Sequence, residues 1–211
     1  DSSYIQSQTI TLPHGVYGQF HLIVATDIGN QIYEYLYDDN NQRTSNPISV
    51  TLVPPPDLTG TIDQIPDTGS LQESVTLEYT VQNQGPGASI QTSWRDFVYL
   101  SNDSIFSFNN SIQLASSTHS GALEPDSAYT NTLQITLPGE VYGGSYIHLY
   151  CDGNNSVFEH FFENNNISSR GITINPPDLT GSNLLAPADL DLNEQIVLSW
   201  DVSNGGPGEL L

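Results

Sequence analysis

The string PPDLTG stands at Pro55–Gly60 and again at Pro176–Gly181, 121 residues further on. A long repeat constrains a fold more than composition does, because both copies must build the same supersecondary unit. At that offset Asp57–Ile90 lies over Asp178–Leu211 without a gap, with 13 identities in 34 positions. They include Pro66/Pro187, Glu73/Glu194, Leu77/Leu198 and Val81/Val202. Both runs close on a glycine-rich turn, NQGPG at Asn83–Gly87 and NGGPG at Asn204–Gly208. A second match runs at an offset of 125, where Tyr4–Asn41 lies over Tyr129–Asn166 with 13 identities in 38 positions. ITLP, VYG, Asp27/Asp152, Glu34/Glu159 and Asn41/Asn166 carry it. The four-residue difference between the offsets falls in a loop before the next PPDLTG.

The repeating unit is therefore about 120 residues. Residues 1–53 read as the C-terminal half of one repeat, 54–174 as a complete repeat, and 175–211 as the N-terminal third of the next. Cutting a sandwich open exposes its core and an unpaired edge. The chain thus reads as a window on a longer tandem array, with neighbouring repeats of the same chain as its first partners.

Within the unit the segments are short and alternate apolar with polar. Val75, Leu77, Tyr79 and Val81 alternate, as do Leu133, Ile135 and Leu137. Ile147 and Leu149 match Leu22 and Val24, which marks one side of a strand as buried. Ile196, Leu198, Trp200 and Val202 repeat the first pattern in the next copy. Trp94–Ser101 is a further strand whose inward face the pattern leaves open between Phe97/Tyr99 and Val98/Leu100. Gly85-Pro86-Gly87, Pro138-Gly139 and Asp152–Asn155 supply turns. No stretch holds a 3.6-residue period. About seven strands at this spacing predict an all-β, seven-stranded antiparallel sandwich of immunoglobulin type, repeated in tandem. PPDLTG is a stiff linker running into the first strand.

Lys+Arg is 3, with no lysine, against 24 Asp+Glu, a net charge of −21 over 211 residues. Such a surface repels phosphate backbones and anionic lipid, so nucleic-acid binding is excluded and membrane-surface binding with it. No apolar run is long enough for direct membrane insertion. At 36% hydrophobic residues the chain is no disordered acidic tail. The one cysteine, Cys151, forbids an internal disulfide and a zinc knuckle. A chain without lysine or methionine and rich in Asn, Ser and Thr suits an extracellular, cell-surface location.

Several motifs together resemble a known family. They are N-x-G-x-G at Asn83–Gly87, YLSND at Tyr99–Asp103, LEPDS at Leu123–Ser127, and the closing run DGNNSVFEHFFENNN at Asp152–Asn166. The chain is similar throughout to the cell-adhesion-related domain found in bacteria, CARDB. That resemblance implies a seven-stranded immunoglobulin-like sandwich used as tandem repeats in secreted and cell-surface proteins.

The closing run is the candidate site. Asp152, Asn154, Asn155, Glu159 and Glu163 place oxygen ligands within twelve residues, and the earlier copy keeps Asp27, Asn30, Glu34 and Asp38. Calcium takes six to eight such oxygens, so Asp152, Asn154, Glu159 and Glu163 are candidate calcium ligands. The plainer reading, which we favour, is a solvated hairpin whose Asp and Asn side chains hold its turns. A second polar loop, Ser101–Asn110, lacks acids at its later positions and reads as a cover for Ile105, Phe106 and Phe108. Glycosylation sequons at Asn102, Asn109, Asn154 and Asn166 match chance in so Asn- and Ser-rich a chain. His14, His21, His119, His148 and His160 show no ligand spacing and read as surface or half-buried strand histidines. There is no G-x-S-x-G elbow and no triad.

No cofactor is required, and we expect no enzyme. The reading is a non-catalytic structural repeat of a long extracellular stalk or filament, projecting an adhesive or contact site and associating with other copies. The rival is a calcium-dependent glycan- or peptide-binding module appended to a secreted hydrolase. Tyr33, Tyr35, Tyr37, Phe158, Phe161 and Phe162 are its candidate contact aromatics.

Overall fold

A computed structural model describes residues 3–189, 191–193 and 195–210. The chain divides at Pro54–Pro55 into two compact units. In the second unit, β5 (Leu58–Gln64), β7 (Ser74–Asn83) and β10 (Ala128–Thr136) form one sheet in the order β10-β7-β5. β6 (Thr68–Ser70), β8 (Ser93–Ser101), β9 (Ile112–Ser120), β11 (Gly143–Tyr150) and β12 (Ile167–Asn175) form the other, in the order β6-β12-β11-β8-β9. The described residues contain no α-helix.

The core lies between these two sheets. Val75, Leu77, Tyr79 and Val81 from β7 meet Trp94, Val98 and Leu100 from β8 and Ile147 and Leu149 from β11. Ile135 is buried with them, Leu137 joins just beyond β10, and Leu133 is half-buried. The open question on β8 resolves to Trp94, Asp96, Val98 and Leu100 inward. Gly60 of PPDLTG is needed here, because a Cβ on it would stand 2.8 Å from Leu149 Cδ2. Only a glycine lets β5 approach β11 so closely.

Two details differ from the expected sandwich. There are eight strand segments between residues 54 and 174, not seven, and they are not all antiparallel. The first strand breaks at Ile65-Pro66-Asp67, where proline offers no N–H to a ladder. Its first part, β5, pairs antiparallel with β7, and its second part, β6, crosses to pair parallel with β12.

The first unit repeats the β11–β12 hairpin at the 125-residue offset. β1 (Gly18–Phe20) and β2 (Ile23–Ala25) copy β11, while β3 (Gln42–Thr44) and β4 (Ile48–Val50) copy β12. β2 pairs β3 and β1 pairs β4, with Pro47 interrupting the ladder between them. The residues that copy the core are exposed, Val24 at 65% against Leu149 at 0%.

Beyond the sandwich, β13 (Leu179–Leu185) pairs with β14 (Ser199–Asn204) as β5 pairs with β7. The expected alternation from Ile196 yields a strand only from Ser199, and it is exposed throughout. No second sheet packs on this pair among the described residues.

Candidate functional site

The acidic run is a 16-residue loop, residues 151–166, that joins β11 to β12 across one end of the sandwich. Cys151 N donates to Asn166 O at 3.0 Å and closes its base. Asp152 then holds the first turn from inside. Its Oδ1 accepts from Ser156 N at 3.0 Å and its Oδ2 from Val157 N at 2.7 Å. Its own carbonyl accepts from Asn155 N at 2.7 Å. Asp152 and Asn155 sit at φ +45° and +50°, the left-handed region in which Asp and Asn are the least strained non-glycine residues.

Glu159 is fully buried and points into the sandwich. One carboxylate oxygen accepts from Leu58 N of β5 and the other from Asn166 Nδ2. Its own backbone N donates to Glu163 Oε1 at 2.8 Å. Asn165 Nδ2 donates to Asp57 Oδ1 at 2.8 Å, and the Cys151 thiol donates to the carbonyls of Leu58 and Asn166. On the other side Asn154 Oδ1 accepts from Arg95 N at 2.8 Å and Gly153 N donates to Arg95 O at 2.8 Å. The loop thus fastens the first strand and β8 to the hairpin that carries it.

Burial sets the charge state of these groups. Desolvation pushes Glu159 up to about 7 and Asp152 up to about 6, with the Glu163 carboxylate nearby adding to both. Four hydrogen bonds from neutral donors work against that rise without cancelling it. Burial also raises the Cys151 thiol, so it is a packed donor and no nucleophile.

The structure gathers Asp152, Glu159 and Glu163 into one loop but gives each a backbone or amide donor. Asn154 faces β8 instead. Among the described residues no three His, Cys, Asp or Glu side chains are grouped to hold a metal ion.

Asp96, on β8, is the residue that alternation alone did not single out. It is fully buried, and its Oδ2 accepts from Tyr79 OH at 3.0 Å and Tyr129 OH at 2.8 Å. Its Oδ1 accepts from Asp152 N at 3.1 Å, so one carboxylate joins both sheets to the loop. A polar residue between Trp94 and Val98 on the inward face was the available signal. His148 corrects another expectation. It is fully buried under Phe106, with Nε2 2.9 Å from Ser101 Oγ and Nδ1 2.6 Å from Ser169 Oγ. It is covered because the 102–110 loop folds back over the outer face of β11. Phe106 does so pack, on Tyr99 and Tyr150, whereas Phe108 touches the same two rings but stays exposed, as does Ile105. Of the sequons, Asn166 is buried with its amide nitrogen committed to Glu159, which leaves no room for a glycan there.

The CARDB family model matches residues 55–170, just over half of the chain. The chain belongs to the CARDB family. Its sandwich is a CARDB module, a domain of the cell-adhesion-related class. Among solved structures it is similar to a crystal structure of the CARDB domain of a Pyrococcus furiosus protein in complex with di-metal ions. Identity is 24% and the TM-score 0.42, over 56% of this chain and 88% of that one. A solution structure of that Pyrococcus domain matches at 22% identity and a TM-score of 0.42, over 58% and 97% of the two chains. A β-glucosidase from Listeria innocua in complex with glucose matches at 14% identity and a TM-score of 0.38, over 56% of this chain and 16% of that one. The metals and the sugar belong to those proteins. No curated protein matches the chain. Among the described residues no helix is long and apolar enough to cross a membrane.

Proposed function

We propose that this CARDB chain is a non-catalytic structural segment of a long extracellular stalk or filament that holds an adhesive contact site away from a cell surface. One observation carries the reading: the hydrogen-bond framework of the complete repeat recurs in both flanking segments. Asp27 accepts from Gln31 N and Ile32 N as Asp152 does from Ser156 N and Val157 N. Asn204 Oδ1 accepts from Asp178 N and Gly206 N as Asn83 Oδ1 does from Asp57 N and Gly85 N. What recurs is framework, and a device carried by every repeat serves length better than it serves one ligand. The net charge of −21 keeps dense arrays of such chains apart, while lateral partners would be further copies in the same filament.

Labelling tests this. Antibodies against residues 54–174 should decorate intact cells of the source organism, and external protease should remove the signal. Signal seen only after the cells are opened would overturn the proposal. The rival glycan- or peptide-binding reading keeps one favourable observation. Tyr33, Tyr35, Tyr37 and Phe161 are exposed at the tips of the two loops. Retention on a glycan array that Tyr33→Ala and Phe161→Ala abolish would move the conclusion to it.

A further inference from the structure

The passage from the complete repeat into the next one contains no free linker. β12 ends at Asn175 and β13 begins at Leu179, so only Pro176, Pro177 and Asp178 lie between. Each of the three is held. Pro176 O accepts from Gly208 N at 3.1 Å. Asp178 N donates to Asn204 Oδ1 at 2.8 Å, and Asp178 O accepts from Gly205 N at 2.7 Å. Pro177 has no N–H to donate, and its carbonyl carbon lies 2.9 Å from where a Cβ on Gly206 would stand. The same imaginary Cβ would lie 2.5 Å from Asp178 N, and one on Gly208 would lie 2.2 Å from Asn175 O. The NGGPG turn is therefore pressed flat against the linker and against the last residue of the preceding repeat.

One further bond reaches back into that repeat. Glu209 N, just past the turn, donates to Ser70 Oγ at 2.9 Å. Ser70 is the last residue of β6, the short strand that pairs parallel with the end of β12. Within that repeat, Leu71 N donates to Asn175 O at 3.3 Å and holds the end of β12 beside β6. Leu71, Gln72 and Gly139 from the complete repeat line a common cleft with Pro177, Glu209 and Leu210.

We infer that the N-x-G-P-G turn of each repeat docks on its own Pro-Pro-Asp linker and on the β6 end of the repeat before it, and so locks consecutive repeats into one rigid joint. The partner of this surface is the next repeat of the same chain. The contact to Ser70 comes from a backbone N–H, so the residue after N-x-G-P-G is free to vary; it is Glu209 here and Ala88 in the complete repeat. The glycines are not free to vary, because the turn must lie within backbone contact distance of the linker. The turn-to-linker half of the lock is present twice. Gly87 N donates to Pro55 O at 3.1 Å and Gln84 N to Asp57 O at 2.7 Å, and a Cβ on Gly85 would stand 2.5 Å from Asp57 N. This rests on the stalk reading only for its purpose: with such joints an array is a stiff rod whose length adds repeat by repeat, where free linkers would let it coil.

The test is a spin-label distance measurement on the full chain. Thr132→Cys and Ser182→Cys give one label on β10 and one on β13, both exposed, while Cys151 is fully buried and stays unlabelled. The expected result is a single narrow distance peak. Gly206→Val and Ser70→Ala should each at least double its width, and Glu209→Ala should leave it unchanged. A broad peak in the starting protein would overturn the joint, as would a narrow one indifferent to Gly206→Val and Ser70→Ala. The outcome is separable from that of cell labelling. A broad peak with surface staining leaves a flexible stalk, and a narrow peak without staining leaves a rigid joint in some other kind of protein.

Discussion

The loop at residues 26–41 and its copy at 151–166 have nearly the same backbone and very different surroundings. Asp27, Asn30 and Tyr35 lie at φ +46°, +49° and +60°, and Asp152, Asn155 and His160 at +45°, +50° and +60°. Thr26 N donates to Asn41 O as Cys151 N does to Asn166 O. Asn41 Nδ2 donates to Glu34 Oε2 at 2.8 Å, as Asn166 does to Glu159. Glu159 also receives Leu58 N from β5, and no such bond reaches Glu34 among the described residues. The difference teaches that the loop's shape is written locally, in Asp and Asn side chains satisfying their own backbone. Its burial, and with it most of its energetic weight, comes from a strand about a hundred positions earlier in the chain.

The widest gap between the two copies should show in their cores. Leu149→Ala should cost about 2–5 kcal/mol, whereas the equivalent Val24→Ala should stay within about 0.5 kcal/mol. Urea unfolding followed by Trp94 fluorescence measures the first, since Trp94 is buried in the sandwich, and amide hydrogen exchange along β2 and β3 measures the second. Equal losses would mean that the two copies are equally packed.

Removing the inward carboxylates comes next. Glu159→Ala strands Leu58 N and Asn166 Nδ2 away from water, at about 1–3 kcal/mol each. Glu34→Ala frees one amide in a more open loop and should cost below about 1 kcal/mol. If Glu159→Ala were as mild as Glu34→Ala, the latch onto β5 would carry no weight.

Calcium should separate the copies least. The Asp152 and Glu159 oxygens already accept N–H donors, so the melting temperature should be the same in EDTA and in millimolar Ca²⁺. A rise in Ca²⁺ that Asp152→Ala abolishes would recast the loop as a cation site, by the linkage of binding to folding.

The effect of pH is small but not zero. Folded-state values of about 7 for Glu159 and about 6 for Asp152 lie above those of the unfolded chain. The folded protein therefore takes up these protons first as pH falls. Their stabilising contribution is complete below the unfolded values near 4 and is lost as pH rises through about 6 to 7. Burial lowers His148 and His119, which acts in the opposite sense as pH drops below their unfolded values. Stability measured from pH 5 to 8 should fall less steeply in Glu159→Gln than in the starting protein. An unchanged slope would remove Glu159 from the account.

Much of this is legible in the sequence alone. PPDLTG and NxGPG mark a strand entrance and a turn, and both work through backbone contacts that leave little choice of residue. Val75, Leu77, Tyr79 and Val81 reveal the buried side of β7 by period alone. The parts that stayed hidden depend on distant partners. Glu159 reads as a surface acid until Leu58 N is brought to it, and His148 as a strand histidine until the 102–110 loop closes over it. Asp96 looks like a flaw in an apolar face until Tyr79 and Tyr129 arrive from the other sheet. The split at Pro66 was visible as a proline, but that the chain then changes sheets follows only from where β12 ends.

That change of sheets decides how the module answers a pull. β6, near the beginning of the repeat, and β12, at its end, lie side by side and run the same way, from Thr68 beside Thr173 to Ser70 beside Asn175. Tension applied at the two ends of the repeat drags these neighbours in opposite directions along their length. The bonds of the ladder are then loaded together, in shear, and must fail together. A hairpin opened from its tip would instead give way one bond at a time. The same crossing that spoils a simple strand count thus sets the module's resistance to stretching.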